Sequence, residues 1–466
     1  MDFDLIVLGG GSAGFAAAIK GADSGARAAL IEGGTLGGTC VNVGCVPSKT
    51  LLRAAEAQHM RTRHGFDGIP TSDGRPDWAL VRRAKDDLVA TLRREKYVEV
   101  LRSYDSVTLI QERAELASDH SVQLAGGRTL TADRIVLATG SSPWAAPIPG
   151  LSTTPHLDST SAMALERLPG SLVLIGGGSV GLELGQMFAR LGVDVTVVEA
   201  LPQLLPGDDP ALGETLASYL RDEGLTVFTS AQVEAVKAEN DSRVVELHAA
   251  GRRQFVSADA IVVATGRRPN TAGLGLERIG IRVGNRGQVV VDEFLRTSRD
   301  SVYAAGDVVG DPMFVYVAAY AGNLAAENAL SGNHRRYDLA AVPAVTFTDP
   351  AVASVGLTDA AARKAGIEPL VARLGLEHVP RARAARDTRG FIQLVADAST
   401  RRIIGAQIVA RDAGELIGEA ALGLRLGVTI EQLAGTFHPY LTLAEGLKLA
   451  AQTFTTDVSK LSCCAA

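Results

Sequence analysis

Short apolar runs alternate with glycine-rich turns in the first part of the chain. The apolar run 4–8 ends at Gly9 and is followed by an alanine-rich helical stretch and a second apolar run at 28–31. The same order returns between residues 172 and 198. Each run predicts a buried strand and each helical stretch a crossover helix, so the pattern predicts two β-α-β units.

Both turns have the spacing Gly-x-Gly-x-x-Gly. The first glycine permits the tight turn, the second lets the backbone approach a pyrophosphate, and the third lets helix and strand pack closely. The helix N-terminus then offers amide donors and partial positive charge to the phosphates. An acidic residue about twenty positions further on can hold ribose hydroxyls. The predicted nucleotide-binding residues are Gly9, Gly11, Gly14 and Glu32 in the first unit, and Gly176, Gly178, Gly181 and Glu199 in the second.

Two further strands, 135–140 and 261–266, each close on a small-residue turn that marks a crossing between domains. From Val342 onwards, alternating strands and amphipathic helices without a third phosphate loop indicate an interface domain. We predict an α/β protein with two Rossmann-like dinucleotide-binding domains and a C-terminal α+β dimerisation domain. The expected segments are 1–147 and 267–341 for the first dinucleotide-binding domain, 148–266 for the second, and 342–466 for the dimerisation domain.

Composition excludes several classes of partner. A chain of 466 residues is too long for one core, which agrees with several domains. A formal charge of −6 gives no basic field for nucleic acid or anionic lipid. No apolar run is long enough to span a bilayer, and the N-terminus lacks a signal-peptide pattern. We therefore expect a cytoplasmic protein without nucleic-acid or membrane partners.

The four cysteines form two pairs, Cys40 with Cys45 and Cys463 with Cys464. They are too few for a disulfide framework, and scattered buried thiols would not be paired. Pro47 suits the first turn of a helix, so Cys45 is expected at a helix N-terminus, where the dipole lowers the thiol pKa. A structural zinc site is the rival use, but the spacing is not Cys-x-x-Cys and four tetrahedral ligands are not evident.

Residues 37–49, GGTCVNVGCVPSK, resemble the active-site signature of the pyridine nucleotide disulfide oxidoreductases. Thr297-Ser298 and 302–307 are similar to the second flavin motif of that family, so the resemblance covers the whole chain. It implies a homodimer with FAD on the first dinucleotide-binding domain and NADH or NADPH on the second. The implied FAD contacts are Gly9, Gly11, Gly14, Glu32, Gly34, Thr39, Lys49, Gly140, Asp307 and Val315, and the implied nicotinamide-cofactor contacts are Gly176, Gly178, Gly181, Glu199 and Gly266.

The resemblance also implies the direction of electron flow, from reduced nicotinamide through the flavin to a disulfide of Cys40 and Cys45. Cys45 would lie nearer the flavin, and Cys40 would be the exchanging thiol. Lys49, one turn beyond Cys45 on the same helix face, would be a charge partner of the flavin. Glu183 matches the family glutamate that pairs with this lysine, although a solvated helix glutamate is the alternative.

The C-terminus indicates a substrate. Adjacent Cys463 and Cys464 are too strained for an easy structural disulfide but suit a soft metal ion. Together with segments 314–319 and 439–449, they resemble the mercuric reductases. This resemblance implies reduction of Hg(II), bound as a thiolate complex and exchanged with small thiols, to Hg(0).

Two tyrosines complete the predicted site. Tyr97 and Tyr440 match the tyrosines that mercuric reductases place beside the inner metal site, although either could instead be core packing. The predicted metal ligands are Cys40, Cys45, Cys463 and Cys464. The predicted catalytic residues are Cys40, Cys45, Lys49, Glu183, Tyr97 and Tyr440.

Other functions stay open at this stage. A disulfide reductase of the thioredoxin reductase, glutathione reductase or lipoamide dehydrogenase type is favoured by His438, which could transfer a proton. Against it, Glu445 follows at seven positions rather than five, and a satisfied surface or core histidine is the alternative for His438. A metal-sequestering protein with vestigial nucleotide sites is opposed by the intact phosphate loops. Glu199 and the absence of arginine between residues 200 and 210 predict that NADH is used at least as well as NADPH.

Overall fold

The computed structural model describes residues 1–460, so Cys463 and Cys464 lie outside the described residues. The strands are β1 (Phe3–Leu8), β2 (Ala28–Ile31), β3 (Val107–Ile110), β4 (Ala114–Ser118), β5 (Ser121–Leu124), β6 (Thr129–Leu137), β7 (Ser141–Pro143), β8 (Ser171–Ile175), β9 (Asp194–Val198), β10 (Thr226–Phe228), β11 (Gln232–Glu239), β12 (Ser242–Ala249), β13 (Arg252–Ala258), β14 (Ala260–Val263), β15 (Arg267–Pro269), β16 (Val302–Ala304), β17 (Ala344–Thr346), β18 (Ala351–Gly356), β19 (Pro369–Gly375), β20 (Phe391–Asp397) and β21 (Ile403–Ala410). The helices are α1 (Ser12–Asp23), α2 (Gly38–Val43), α3 (Cys45–Thr62), α4 (Trp78–Arg93), α5 (Glu99–Leu101), α6 (Ser159–Met163), α7 (Ser179–Arg190), α8 (Pro210–Asp222), α9 (Val315–Ser331), α10 (Asp359–Lys364), α11 (Pro380–Ala384), α12 (Ala413–Leu426), α13 (Ile430–Gly435) and α14 (Glu445–Gln452).

The chain forms two compact units. The first contains residues 1–50, 79–144 and 266–338, and the second contains 51–78, 145–265 and the chain from 339 onwards. A π-helical turn at Arg94–Val98 joins α4 to α5. Among the described residues, no helix has the length and apolar character needed to cross a bilayer.

A parallel sheet of order β3-β2-β1-β6 organises the first unit, with β16 also parallel to β6. The N-terminal part of β6 continues into an antiparallel ladder with β5 and β4. Helices α1 and α9 pack closely because small residues line their contact: a side chain at Gly322 would meet the carbonyl oxygen of Ala13 at 1.9 Å. This explains the alanine-rich character of both helices, whose alanines fill the core beside β1 and β2.

The second unit contains a parallel sheet, β10-β9-β8-β14, and two antiparallel sheets, β11-β12-β13 and β17-β18-β21-β20-β19. Helix α7 follows β8, and α8 leads into β10, as right-handed crossovers require. Apolar residues of β18, β20 and β21 form a core with α12 and α14. The two parallel sheets and the C-terminal antiparallel sheet confirm the predicted fold class.

The two small-residue turns meet in the first unit. Gly140 and Gly266 have positive φ angles of 69° and 133°, a conformation open to glycine. Strands β7 and β15, which follow these turns, pair antiparallel, and Thr139 Oγ1 donates to the carbonyl oxygen of Asn270 at 2.7 Å. The two chain segments that follow these turns therefore run side by side. The division of the chain into four domain segments stays a prediction.

Candidate active site

The first phosphate loop requires glycine at two points. Gly9 has φ +106°, and a side chain at Gly14 would meet the carbonyl oxygen of Gly9 at 1.7 Å. Helix α1 begins after Gly11 without a side-chain cap, so its first-turn amides are available to an anion. The loop therefore fits the pyrophosphate of a dinucleotide such as FAD.

The second phosphate loop repeats this geometry. Gly176 has φ +117°, and a side chain at Gly181 would meet the Gly176 carbonyl oxygen at 2.1 Å. Nothing lies within 4 Å of a side chain built at Gly178, and α7 begins there without a side-chain cap. The loop offers the same uncapped amides to a second dinucleotide, which the sequence predicts to be the nicotinamide cofactor.

A glutamate closes each loop in the same way. Glu32 accepts the backbone N–H of Gly10 through Oε2 and that of Gly34 through Oε1, both at 2.6 Å. Glu199 accepts the N–H of Gly177 at 2.6 Å and that of Leu201 at 2.8 Å. Each carboxylate is thus fixed at the end of the second strand, where the ribose of a bound dinucleotide lies in this fold.

The predicted second flavin motif forms a hydrogen-bonded cluster in the first unit. Ser141 Oγ donates to Asp307 Oδ2 at 2.6 Å, and Arg267 donates through Nε to the same hydroxyl at 2.8 Å. Burial, then the charges of Tyr320 and Asp307, raise the pKa of Tyr337 to about 12. Asp307 is therefore a fixed acceptor close to the Gly140 turn, as a ribityl-binding residue must be.

The cysteine segment is folded into two short helical pieces. Cys40 lies in α2, after Thr39, and Cys45 is the first residue of α3. The side chain of Asn42 donates to the carbonyl oxygens of Leu36 and Gly38 at 3.0 and 2.8 Å, and accepts from Arg93 at 3.1 Å. These bonds fix the loop between the two cysteines, both of which are half-buried and neither of which is in a disulfide.

The two cysteine side chains are hydrogen-bonded to each other. A hydrogen bond to Cys45, followed by burial and the charge of Cys45, raises the pKa of Cys40 far above its ordinary value. The backbone N–H of Cys45 and the Lys49 ammonium act in the opposite direction. Cys40 therefore holds the proton in the reduced pair, while Cys45, at the N-terminus of α3, is favoured as thiolate.

The charges of these sulfurs affect the pKa values of two tyrosines. Tyr97, in the π turn, packs edge-on against Phe15 with ring centroids 4.7 Å apart. Burial raises the pKa of Tyr97, a hydrogen bond with Ser12 lowers it, and the charges of Cys40 and Cys45 raise it. Burial and the charge of Cys45 raise the pKa of Tyr316 to about 12.

Tyr316 was not among the predicted site residues. It follows Val315, the first residue of α9 and a predicted FAD contact, and its ring stacks on Phe314 at 5.4 Å. The signal was in the sequence, because the 314–319 segment already resembled mercuric reductases. Sequence alone did not show that this phenol shares the first unit with Cys45 and is sensitive to its charge.

Glu183 lies on α7 in the second unit and is only 5% exposed. Its Oε1 accepts the backbone N–H of Phe347 at 2.9 Å. The alternative of a solvated helix glutamate is therefore wrong, because the carboxylate is buried and held by a main-chain donor. Its pairing with Lys49 stays a prediction.

His438 has an acceptor at each ring nitrogen. Nε2 lies 2.7 Å from Glu419 Oε1, and Nδ1 lies 3.1 Å from the carbonyl oxygen of Thr436. Glu445, the glutamate considered as its partner from sequence, is buried, and its Oε2 has no hydrogen-bond partner among the described residues. Tyr440 is 57% exposed, so the core-packing alternative for this residue is wrong.

The structure brings Cys40, Cys45, Lys49 and Tyr97 together within the first unit, whereas Glu183 and Tyr440 belong to the second. Within residues 1–460, no group of three or more His, Cys, Asp or Glu side chains could hold a metal ion. A pair of thiols with neighbouring phenols suits a soft ion that prefers few ligands.

Comparison with known proteins gives two matching family models. Residues 3–322 match "Pyridine nucleotide-disulphide oxidoreductase", and residues 342–451 match its dimerisation domain. The chain is 44% identical to Mercuric reductase from Staphylococcus aureus, over 100% of this chain and 84% of that protein. It is 46% identical to Mercuric reductase from Streptomyces lividans, over 99% of this chain and 98% of that protein.

Similar solved structures include the HOCl-induced flavoprotein disulfide reductase RclA from Escherichia coli. It has a TM-score of 0.86 and 32% sequence identity, over 96% of this chain and 99% of that one. The Cu(II) complex of the same protein has a TM-score of 0.85 and 32% identity, over 95% and 98% of the two chains.

Proposed function

Because this chain belongs to the pyridine nucleotide-disulphide oxidoreductase family, we propose that it reduces thiolate-bound Hg(II) to Hg(0) at the expense of NADH or NADPH. The relatives named Mercuric reductase, 42 to 46% identical over essentially the whole chain, support this substrate. The observation that carries the proposal is the hydrogen-bonded pair of Cys40, in α2, and Cys45, the first residue of α3, with Tyr97 close enough to be affected by their charges.

The chain's residues fit both cofactors. The uncapped N-terminus of α1, Glu32, Gly34 and Asp307 would hold FAD, and the corresponding N-terminus of α7 with Glu199 would hold the nicotinamide cofactor. Thr39, Lys49, Gly140 and Val315 complete the expected flavin contacts, and Gly266 the expected nicotinamide contacts. The chemistry that bound FAD supplies is acceptance of a hydride and its release as an electron pair.

The two sulfurs bind the metal ion. Hg(II) enters by thiol exchange: the Cys45 thiolate displaces one small thiol, and Cys40 displaces the other as it gives up its proton. That proton and one more from solvent leave both departing thiols protonated. Linear coordination by two sulfurs satisfies this soft ion. Two electrons then convert Hg(II) to Hg(0), which binds thiolate weakly and leaves, so both sulfurs return as thiol and thiolate. The net reaction consumes one thiolate-bound Hg(II), one NAD(P)H and one proton, and it releases Hg(0), NAD(P)⁺ and two small thiols.

Metal delivery is assigned to Cys463 and Cys464 at the C-terminus, within a homodimer. The match to a dimerisation domain over residues 342–451 supports self-association. Phe437 is 99% exposed beside the half-exposed Tyr440 and Leu441, an apolar surface that a second copy of the chain would cover. In such a dimer, the tail of one subunit serves Cys40 and Cys45 of the other.

The proposal is tested by following NADH and NADPH oxidation by the purified, flavin-loaded protein. Mercuric chloride with excess thiol is compared with oxidised glutathione, lipoamide and oxidised thioredoxin, and only the mercury reaction is expected to turn over rapidly. Cys45→Ser should keep the yellow colour but lose mercury reduction. A colourless protein, or a Cys45→Ser variant with undiminished mercury turnover, would refute the proposal.

The role of the tail is tested separately. Replacing Cys463 and Cys464 by alanine should lower mercury turnover at limiting small thiol, while NADH still reduces the flavin at the wild-type rate. Ser462→Ala serves as the matched control. Unchanged turnover of the double variant at limiting thiol would show that delivery does not use these cysteines.

Disulfide reduction is the second candidate. The similarity to a flavoprotein disulfide reductase at 32% identity favours it, as does the presence of His438. Against it, both nitrogens of that ring contact acceptors of the same unit, Thr436 and Glu419, which favours a structural role for the ring. Rapid turnover with one of the disulfides and none with mercury would establish this alternative.

A further inference from the structure

One face of α7 is a row of polar side chains. Ser179, Glu183, Gln186 and Arg190 are spaced by four, three and four residues, so they lie along a single stripe of the helix. All four contact the segment 346–349, which follows β17 in the same compact unit. This row and this segment form a continuous polar track in an otherwise buried environment.

The contacts are specific. Ser179 Oγ and Thr346 Oγ1 are 2.7 Å apart at the N-terminal end of the track. One turn further along, Glu183 accepts the backbone N–H of Phe347 at 2.9 Å. The interaction of Glu183 is thus with the main chain, whose position depends on how the rest of the segment is held.

Gln186 fixes that main chain. Its Oε1 accepts the backbone N–H of Asp349 at 2.7 Å, and its Nε2 donates to the carbonyl oxygen of Asp349, also at 2.7 Å. The residue is 1% exposed. A buried amide that both donates to and accepts from one backbone position defines that position closely, because loss of either bond leaves a polar group unsatisfied.

Arg190 fixes the side chain of the same residue. Its Nη1 lies 2.9 Å from Asp349 Oδ2, while its Nε and Nη2 donate to Glu223 at 2.9 and 2.6 Å. Arg389 binds the other Asp349 oxygen at 2.8 Å. Asp349 is therefore held through backbone and carboxylate at once.

We infer that Gln186 and Arg190 are positioning residues for Glu183: by fixing Asp349 they fix the Phe347 N–H that orients the Glu183 carboxylate. The inference deepens the proposed function and rests on it, because Glu183 is one of the predicted catalytic residues. Phe347 is two residues from the Asp349 clamp, too short a distance for its N–H to stay in place if the clamp opens. Distortion of the segment would rotate or release the carboxylate without any change at Glu183 itself.

The first test measures how firmly the backbone of the segment 346–349 is held. Hydrogen exchange in the full-length, flavin-loaded protein is followed by mass spectrometry for peptides covering residues 344–350. Gln186→Leu should speed exchange of the Phe347 and Asp349 amides by about tenfold or more, because their acceptors are lost or displaced. Gln407→Leu is the control, since Gln407 is equally buried but bonds to Leu357 and Gln393 instead. Unchanged exchange in Gln186→Leu would overturn the inference.

The second test asks whether Gln186 acts through Glu183. The rate constant for flavin reduction by NADH, without mercury, is measured for Gln186→Leu, Glu183→Gln and the double variant. If Gln186 works by orienting Glu183, the double variant is no slower than Glu183→Gln alone. Multiplicative losses would show independent roles and overturn the inference. Arg190→Lys, which keeps the charge but not the forked geometry, provides a milder variant if Gln186→Leu does not fold.

These measurements do not depend on the substrate. Hydrogen exchange and flavin reduction are measured without Hg(II), so a protein that failed to reduce mercury could still show the track and its coupling. Conversely, active mercury reduction with independent effects of the two substitutions would leave the proposed function intact and remove the positioning role.

Discussion

The Glu199 carboxylate accepts a hydrogen bond from the backbone N–H of Gly177 at 2.6 Å. This bond and the one from Leu201 hold a negative charge at the end of β9. The following residues, 200–210, include Asp208 and Asp209 but no lysine or arginine. A 2′-phosphate on the adenosine ribose would therefore meet like charge without a compensating cation.

We accordingly expect a higher kcat/KM with NADH than with NADPH. Glu199→Gln keeps the shape of the side chain but removes its charge, and should reduce the preference by about tenfold, mainly through KM for NADPH. Glu239→Gln, which removes a surface carboxylate of the same unit, should leave the ratio unchanged. A wild-type preference for NADPH would contradict this prediction.

The second prediction concerns the pKa of Cys40. Its pKa is raised first by the hydrogen bond to Cys45, next by burial and then by the charge of Cys45. Cys45→Ala removes the first and third causes, so the pKa of Cys40 should fall towards its ordinary value. Alkylation of Cys40 by iodoacetamide, followed by mass spectrometry against pH, should begin at lower pH in Cys45→Ala than in the reduced wild-type protein.

Tyr316→Phe is the control for the Cys40 experiment, because it removes a neighbouring phenol without touching the sulfurs. Its alkylation profile for Cys40 should follow that of the wild-type protein. If the Cys45→Ala profile also coincided with the wild type, burial rather than the partner sulfur would control the proton.

The His438–Glu419 pair predicts a structural role for this histidine. Its side chain is 4% exposed, and its nitrogens face Glu419 and Thr436. His438→Gln should lower mercury turnover by less than about threefold, while lowering the free energy of unfolding by about 1 kcal/mol because the hydrogen bond between the buried ring and the partly exposed Glu419 carboxylate is lost. Steady-state kinetics and urea unfolding measure the two effects.

A loss of more than about a hundredfold in kcat for His438→Gln, with stability preserved, would instead assign proton transfer to this ring. Glu419→Gln separates the two cases further. It should reproduce the loss in stability without affecting catalysis.

The buried ion pairs at Asp349 predict a pH dependence of stability. Burial alone would raise the pKa of Asp349, but Arg190 and then Arg389 hold it below its ordinary value of 3.8. A carboxyl with a lower pKa in the folded protein stabilises the fold above its unfolded pKa, and this contribution is lost as the pH falls through the folded value. Asp349→Asn should therefore be less stable than wild type at neutral pH, with a difference that shrinks below about pH 4.

Urea midpoints measured between pH 7 and pH 3 test this expectation. Lys237→Met, which breaks an exposed pair with Glu239, is the control and should leave the midpoint unchanged at each pH. A difference between Asp349→Asn and wild type that persisted undiminished in acid would show that the pairs with Arg190 and Arg389 are not its source.

Sequence predicted those features of this molecule that local rules determine. The Gly-x-Gly-x-x-Gly turns predicted both β-α-β units, because only glycine tolerates a backbone approach as close as that of Gly14 to Gly9. Pro47 predicted that a helix begins near Cys45, and α3 does begin at that residue. In each case a few neighbouring residues suffice to determine the backbone.

Contacts between distant segments could not be read in the same way. Arg190 and Asp349 are separated by 159 residues, and no periodicity indicates that their charges meet in the core. The partner of His438 proved to be Glu419 on α12, 19 residues earlier in the chain, and not Glu445, whose spacing from the histidine already departed from the family pattern. Such pairings depend on how whole elements pack, which local patterns do not encode.

The π turn at Arg94–Val98 accommodates one residue more than an α-helix of the same span would. Each residue of an α-helix advances the side-chain direction by about 100°, so the extra residue decides which way Tyr97 points. We expect that deleting a single residue from this turn would let α4 continue into α5 as a regular α-helix. The Tyr97 ring would then point in another direction about the helix axis, so the length of this turn determines that the phenol, and not a neighbouring side chain, is exposed to the charges of Cys40 and Cys45.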